Sequence, residues 1–311
     1  MPKEDAKENP IVGDVFIATP RTRRRARQET MAKYITLLMA LLLVIPVLGI
    51  VAYVFKEAAP VLCLDYLWEN PQNGSREGGI WSPLIGTFYL VLVSLLIVAP
   101  VGILAGIYLN EYAPDNWFTR IVNMAVTSLA GVPSIVHALF GLGAFVLFFG
   151  MGECLLAAAC TVAVMTVPVI ITATREALNA VPMSFREACW NMGATKWQTI
   201  RTIVLPNSVS GILTGVILEI ARAAGETAPI LFTGAVYFSD VADSGIDKFI
   251  PYYLGDKFMA LSMHLHVIST QITDMPLAMQ FGTAAVIIGL IFVVNSVSTL
   301  LRIYLRAQKK W

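Results

Sequence analysis

The 311-residue chain is 57% apolar and 14% charged, and its 22 basic and 21 acidic residues leave a net charge of +1. The charges are crowded together: segments 34–55, 78–110, 121–152, 154–174, 202–218, 227–239 and 275–301 carry none. A run of about 20 apolar residues already spans a bilayer as a helix. The pattern therefore excludes a soluble enzyme, a disordered tail and a nucleic-acid binder, which needs a concentrated basic patch, and leaves an all-α polytopic membrane protein.

Residues 1–33 form a polar, basic segment in which Arg21, Arg23, Arg24, Arg25 and Arg27 are expected to anchor the chain at lipid headgroups. The first apolar run begins only after it, so no cleavable signal peptide is expected. Span one covers 34–55 and a polar external stretch follows to about Trp81. Span two is expected at 83–109, span three at 121–149, and span four at 154–174 after a turn around Gly150 and Gly152. Span five covers 207–237, interrupted by charges, and span six lies within 275–301. The chain thus divides into a basic segment (1–33), a first helix with its external loop (34–81), a transporter-type membrane domain (82–305) and a short tail (306–311). With both termini inside, the cytoplasmic segments hold 17 Lys and Arg against 4 in the external segments 56–82 and 238–274. That bias predicts cytoplasmic termini.

The external segments are acidic on balance, with Asp240, Asp243 and Asp247 among their acids, and would repel free anions. Residues 258–273 are uncharged but short and polar, which predicts an external or interfacial element rather than a span. Its His264-Leu265-His266 pair has no further ligand nearby, and Cys63, Cys154, Cys160 and Cys189 show no CxxC spacing, so neither a metal site nor a disulfide framework is expected. Gly102 with Gly106 and Gly211 with Gly215 have the GxxxG spacing of closely packed helices. Ser134 and His137 share a helical face without an acid partner, which excludes a hydrolase dyad and leaves Ser134 a weaker candidate for a substrate path.

Between spans four and five lies the cytoplasmic loop 174–206. Ser184 and Glu187 have the S-x-x-E spacing of a capping box, predicting a helix start after Pro182. Gly193 is placed to stop that helix in a left-handed conformation. Thr195 and Gln198 repeat the box, and the second helix runs to Leu205, with Pro206 leading into span five. The product is a helix–turn–helix knob suited to docking in a groove of a partner protein; a helical hairpin lying on the inner leaflet is the alternative.

Inside span five, Glu219, Arg222 and Glu226 point to about 0°, 300° and 340° around the helix axis, sharing one arc. Each such group costs roughly 2.5–3.5 kcal/mol at a helix centre, so the triplet must face a polar cavity or a partner. Arg222 can offer a planar fork to a passing oxyanion, with Glu226 orienting it and accepting a proton. The alternative is an internal ladder that only ties helices together. Pro229 lacks an N–H and crowds the carbonyl of Gly225, which predicts a kink across Gly225, Glu226, Thr227 and Ala228 beside the buried charge. Freed backbone groups there are tolerable only against a cavity or protein.

These residues carry a resemblance. Glu187-Ala188-Cys189, then Gly193, then Ile203-x-Leu205-Pro206 resembles the EAA loop of ABC importer permeases, with Cys189 where the pattern usually has Ala. The stretch from Arg222 through Gly225-Glu226-Thr227-Ala228-Pro229 to Leu231-Phe232-Thr233-Gly234 resembles the RA-x-GETAP-x-LFTG segment of phosphate-specific permeases of the PstA type. Gly131-Val132-Pro133-Ser134 with Phe140-Gly141, and Ile107-Tyr108-Leu109-Asn110-Glu111-Tyr112, agree as well, and the resemblance covers about 78–305. It implies the six-helix type I ABC importer permease (MetI-like) fold in the bacterial plasma membrane. It also implies a PstC-type partner permease, a PstB-type ATPase dimer seated on Glu187, Ala188, Cys189 and Gly193, and a PstS-type external phosphate-binding protein. Arg222, Glu226, Glu219, Thr227 and Ser134 become substrate-path candidates, and Gly225 and Pro229 the gate. No Walker A pattern occurs, so ATP and Mg are expected on the partner ATPase and no cofactor in this chain. Open alternatives are a permease for another oxyanion (molybdate, sulfate or phosphonate), an intramembrane enzyme using Glu219 and Glu226, and a regulatory membrane scaffold.

Overall fold

The computed structural model describes residues 20–239, 241, 245 and 248–307. Most of the basic segment 1–33, the acids Asp240, Asp243 and Asp247, and the end of the tail lie outside the described residues. Residues up to Tyr53 and those from Val54 onward form two compact units. The first is described from Pro20, where helix α1 (Pro20–Ala58) begins well ahead of the apolar run.

In the second unit the end of α1 sets Val54 and Ala58 against Phe281, Ala285 and Ile288 of α12 (Leu277–Ala307). The external stretch folds into α2 (Leu64–Trp68) and a hairpin of β1 (Pro71–Gln72) with β2 (Glu77–Gly78). Tyr66 fixes it to α12, its hydroxyl lying 2.9 Å from the Thr283 hydroxyl.

Span two is α3 (Trp81–Ile107), which continues through a wider turn at Tyr108–Tyr112. Span four is α6 (Leu155–Asn179), and span five is α9 (Leu205–Gly225). Both GxxxG pairs act as expected. A Cβ at Gly102 or Gly106 would come within 2.7 Å of Ile170 or Thr174, and one at Gly211 or Gly215 would collide with Ala177 or Ala173. The numbering rises together along the first seam and oppositely along the second. Spans two and four therefore run in one direction and span five in the other, as the alternating topology demands. The first amides of α6, which no turn of the helix can satisfy, donate from Cys154, Leu155 and Leu156 to the carbonyls of Thr233, Asp256 and Leu254 at 3.0, 2.8 and 2.9 Å.

Two expectations need correction. Span three is not one helix: α4 (Trp117–Ala130) and α5 (Ser134–Gly141, continuing to Phe148) meet at an angle of 104°. Pro133 supplies no N–H and forces Val132 out of the helical region, so the helix stops at Gly131. Span five stops outright at Gly225; Glu226 is extended, and the short α10 (Ala228–Leu231) follows. The polar stretch 258–273 forms no spanning helix, as expected, and its first part is buried within the protein. Phe258, Met259, Ala260 and Leu261 are wholly buried, and Leu261–Thr270 forms helix α11, packed against α3, α9 and α12. Two of its groups find partners far away in the chain, which composition alone could not reveal: the amide of Leu261 donates to Thr87 Oγ1 of α3 at 2.8 Å, and Ser262 Oγ donates to the carbonyl of Glu226 at 2.9 Å. His264 is buried and His266 exposed, so the pair points to opposite sides of α11.

The knob between spans four and five consists of α7 (Met183–Asn191), a turn, and α8 (Lys196–Thr199), which widens at Ile200–Val204 and runs into α9. The box at Thr195 and Gln198 forms in both directions. The box at Ser184 and Glu187 does not, because α7 starts at Met183 with Pro182 as its cap and places Ser184 already inside the first turn. Gly193 takes φ +83° and closes a Schellman turn, its amide reaching Trp190 O at 2.9 Å while that of Ala194 reaches Cys189 O at 3.0 Å. Arg186 of α7 roots the knob. Its Nη2 donates to Glu111 Oε1 and Leu178 O at 2.9 and 3.0 Å, and its Nη1 to Val181 O at 2.9 Å.

Two outcomes follow from these buried charges. Burial pushes the His264 imidazole down to about 4 from its ordinary 6.5. The unfolded chain then binds a proton that the fold rejects, so stability present above pH 6.5 should fall by about 3 kcal/mol as pH drops to about 4, and no further below that. Thermal unfolding in detergent across this window should show the slope, and His264→Gln should flatten it. Glu111→Gln should cost about 3–5 kcal/mol by leaving Arg186 buried without its counter-charge, whereas replacing both residues with apolar ones should recover most of the loss. Unfolding midpoints of the three variants check this.

Candidate functional site

Arg222 lies on the last turn of α9, where the sequence changes from a small-residue helix to the Gly225–Pro229 break. Its Nε sits 3.4 Å from Glu226 Oε1 and its Nη1 3.7 Å from Glu219 Oε1. Charge-assisted hydrogen bonds are usually near 2.8 Å, so both contacts are loose. The ladder anticipated from the sequence exists, but it does not consume the guanidinium, half of whose side-chain surface is exposed in the isolated chain.

The three groups share an arc of the helix yet not an environment. Glu219 is buried, with 7% of its side chain exposed, and lines a small cavity with Ser94 of α3 and Thr166 of α6. Glu226 is mostly buried and Arg222 faces outward. Two carboxylates against one guanidinium leave the triplet with one surplus negative charge when all are ionised, a brake on how tightly Arg222 could hold an anion.

Thr227 is half-buried at the start of α10, and Pro229 is buried behind it. Helix α10, which follows the break in span five, packs against α5, which follows the break in span three. Ser134 opens α5 and is half-buried. Among the described residues no hydrogen bond joins it to the triplet, so it is not part of the charge cluster. His137, three residues on, is buried with Nδ1 3.3 Å from the carbonyl of Pro133.

On the opposite side, Glu187, Ala188 and Gly193 are exposed and Cys189 is half-buried. Around them Met183, Phe185, Trp190, Met192 and Trp197 present apolar surface to the outside, Met192 with 88% of its surface exposed. The knob is thus folded, with a fixed Gly turn and bare apolar side chains. Among the described residues no group of three or more His, Cys, Asp or Glu is placed to hold a metal ion.

Sequence reasoning missed two residues here. Glu111 and Arg186 form the buried ion pair that roots the knob in the end of span two, with only 8% and 10% of their side chains exposed. A signal was present, since Glu111 is the one charge within the Ile107–Tyr112 stretch and Arg186 the one base in α7. It also missed Ser262, which nothing in its neighbourhood marks as special.

Comparisons with known proteins agree with this arrangement. Residues 98–308 match the family described as binding-protein-dependent transport system inner membrane component. The probable ABC transporter permease protein YqgI of Bacillus subtilis is 31% identical over 188 residues, 60% of this chain and 64% of that protein. The phosphate transport system permease protein PstA of Mycobacterium leprae is 34% identical over 233 residues, 73% of this chain and 75% of that one. Among solved structures, a bacterial ABC transporter involved in the import of the acidic polysaccharide alginate superimposes with a TM-score of 0.55 at 15% identity, covering 92% of this chain and all of that one, which shows a shared fold. The chain belongs to the family of inner membrane components of binding-protein-dependent transport systems.

Proposed function

We propose that this chain is the permease subunit through which an ABC importer carries inorganic phosphate across the bacterial inner membrane. The observation that carries the reading is Arg222, loosely paired to two carboxylates at 3.4 and 3.7 Å and half-exposed at the break of a membrane helix. A guanidinium presents parallel N–H groups that match two oxygens of a phosphate. Glu226 keeps the fork oriented and can take a proton from a partly protonated phosphate, and its negative charge favours release after binding. Thr227 and Ser134 add hydroxyls along the same path, and the Gly225–Pro229 break gives the path a gate. The relatives' name as phosphate transport permeases supports the choice of anion.

In this reading a PstC-type permease pairs with the chain and encloses the path between the two subunits. Both termini lie in the cytoplasm, and the basic segment 1–33 lies against anionic lipid. The membrane domain runs over 82–305. A PstB-type ATPase dimer, carrying ATP and Mg, receives the knob of Glu187, Ala188, Cys189 and Gly193, while a PstS-type carrier delivers phosphate to the acidic external face.

Labelled-phosphate uptake in cells with and without this chain, competed separately by arsenate, sulfate and molybdate, tests the substrate. Arsenate-sensitive uptake should vanish on deletion; loss of a sulfate- or molybdate-sensitive uptake instead would reassign the anion. Arg222→Gln should lower uptake at least about 10-fold, since hydrogen bonds to charged groups are worth about 1.5–3 kcal/mol each. Gly193→Val meets no neighbour within 4 Å but is strained at φ +83°, by roughly 1–2 kcal/mol. It should distort the knob, leaving ATP hydrolysis in the assembled importer while phosphate uptake falls.

A further inference from the structure

The end of α9 leaves carbonyls that no later helical turn can satisfy, and in a bilayer water cannot replace the missing partners. One of them is met from an unexpected place: Ser262 Oγ donates to the Glu226 carbonyl at 2.9 Å. The chain just beyond the break is tied to the same element. Val236 N donates to Phe258 O at 2.8 Å, and Phe258 N to Gly234 O at 3.2 Å. Residues 258–262 thus grip both sides of the stretch 226–236, by a side chain on one side and by main chain on the other. That grip is itself anchored, because Leu261 N donates to Thr87 Oγ1 of α3 at 2.8 Å. The far end of α11, Ser269 to Gln271, is exposed.

We propose that α11 is the lever by which the external face of the protein sets the break in span five, and that Ser262 is the positioning residue that transmits its movement to Glu226 and hence to Arg222. A displacement of α11 by a partner at its exposed end moves the Glu226 carbonyl, and with it the carboxylate that orients the guanidinium. The inference rests on the reading of Arg222 and Glu226 as the substrate path.

The test uses the complete importer in lipid nanodiscs, assembled with its partner permease, ATPase and binding protein, together with uptake in cells. Ser262→Ala should speed hydrogen–deuterium exchange of the Glu226 and Leu231 amides about 5- to 10-fold, as expected for loss of one buried hydrogen bond. It should also lower both uptake and the stimulation of ATP hydrolysis by loaded binding protein severalfold, with basal ATP hydrolysis unchanged and the unfolding midpoint lowered by no more than about 2–4 °C. Ser262→Thr, which keeps the hydroxyl, should restore all of these, and Ser262→Cys, a weak donor, should fall between. Wild-type exchange and stimulation in Ser262→Ala overturns the proposal, as does faster exchange with unchanged stimulation, or a threonine variant that behaves like alanine. If the wild-type importer takes up no phosphate, the substrate reading fails by itself, while the exchange and the binding-protein stimulation still decide the role of Ser262.

Discussion

The backbone of this protein is governed by the absence of water from a bilayer: every amide and carbonyl freed when a helix stops must find a partner within the protein. The chain stops two membrane helices on purpose, at Gly131–Pro133 and at Gly225–Thr227, and much of the remaining architecture answers for them. Helix α10 packs on α5, Ser262 meets the carbonyl of Glu226, and the strand-like contact between Ala235 and Phe258 closes the chain beyond the second break. Arg222 lies against this repaired seam. A continuous helix would need none of these partners.

Charge is handled by the same economy at the two ends of the molecule, with opposite results. Near the knob, Glu111 and Arg186 are close, buried and reinforced by two carbonyls, which makes a fixed joint. At the break, Arg222 is held at longer distances by two acids and remains half-exposed, which makes a responsive group. Distance separates the two: 2.9 Å in the joint against 3.4 and 3.7 Å at the break.

Much of this was legible in the sequence, because uncharged runs, GxxxG spacings and left-handed glycines are local signals with direct physical meaning. The second cap of the knob, at Thr195, formed as its residues predict. The misreadings have a local cause at one place and tertiary causes elsewhere. Ser184 has the spacing of a cap, but Pro182 takes the capping position and shifts the helix start. The Gly-Val-Pro at 131–133 was visible, yet its 104° turn depends on α5 finding α10 and α6 to pack against. Residues 258–273 form no span, as their length and polarity predict, but only the fold reveals that Thr87 and the Glu226 carbonyl meet Leu261 and Ser262. The buried pair of Glu111 and Arg186 is separated by 75 residues, beyond any local pattern.

The glycine seams that join α3 and α9 to α6 have a mechanical meaning. Where backbones touch through glycine, register is locked: sliding α9 by one turn along α6 would set Gly215 against the branched Val169 instead of Ala173. The three helices accordingly form a single stiff plate with no freedom to shear internally. A conformational cycle must swing that plate as a whole, and deformation is confined to its hinges, the broken ends of spans three and five.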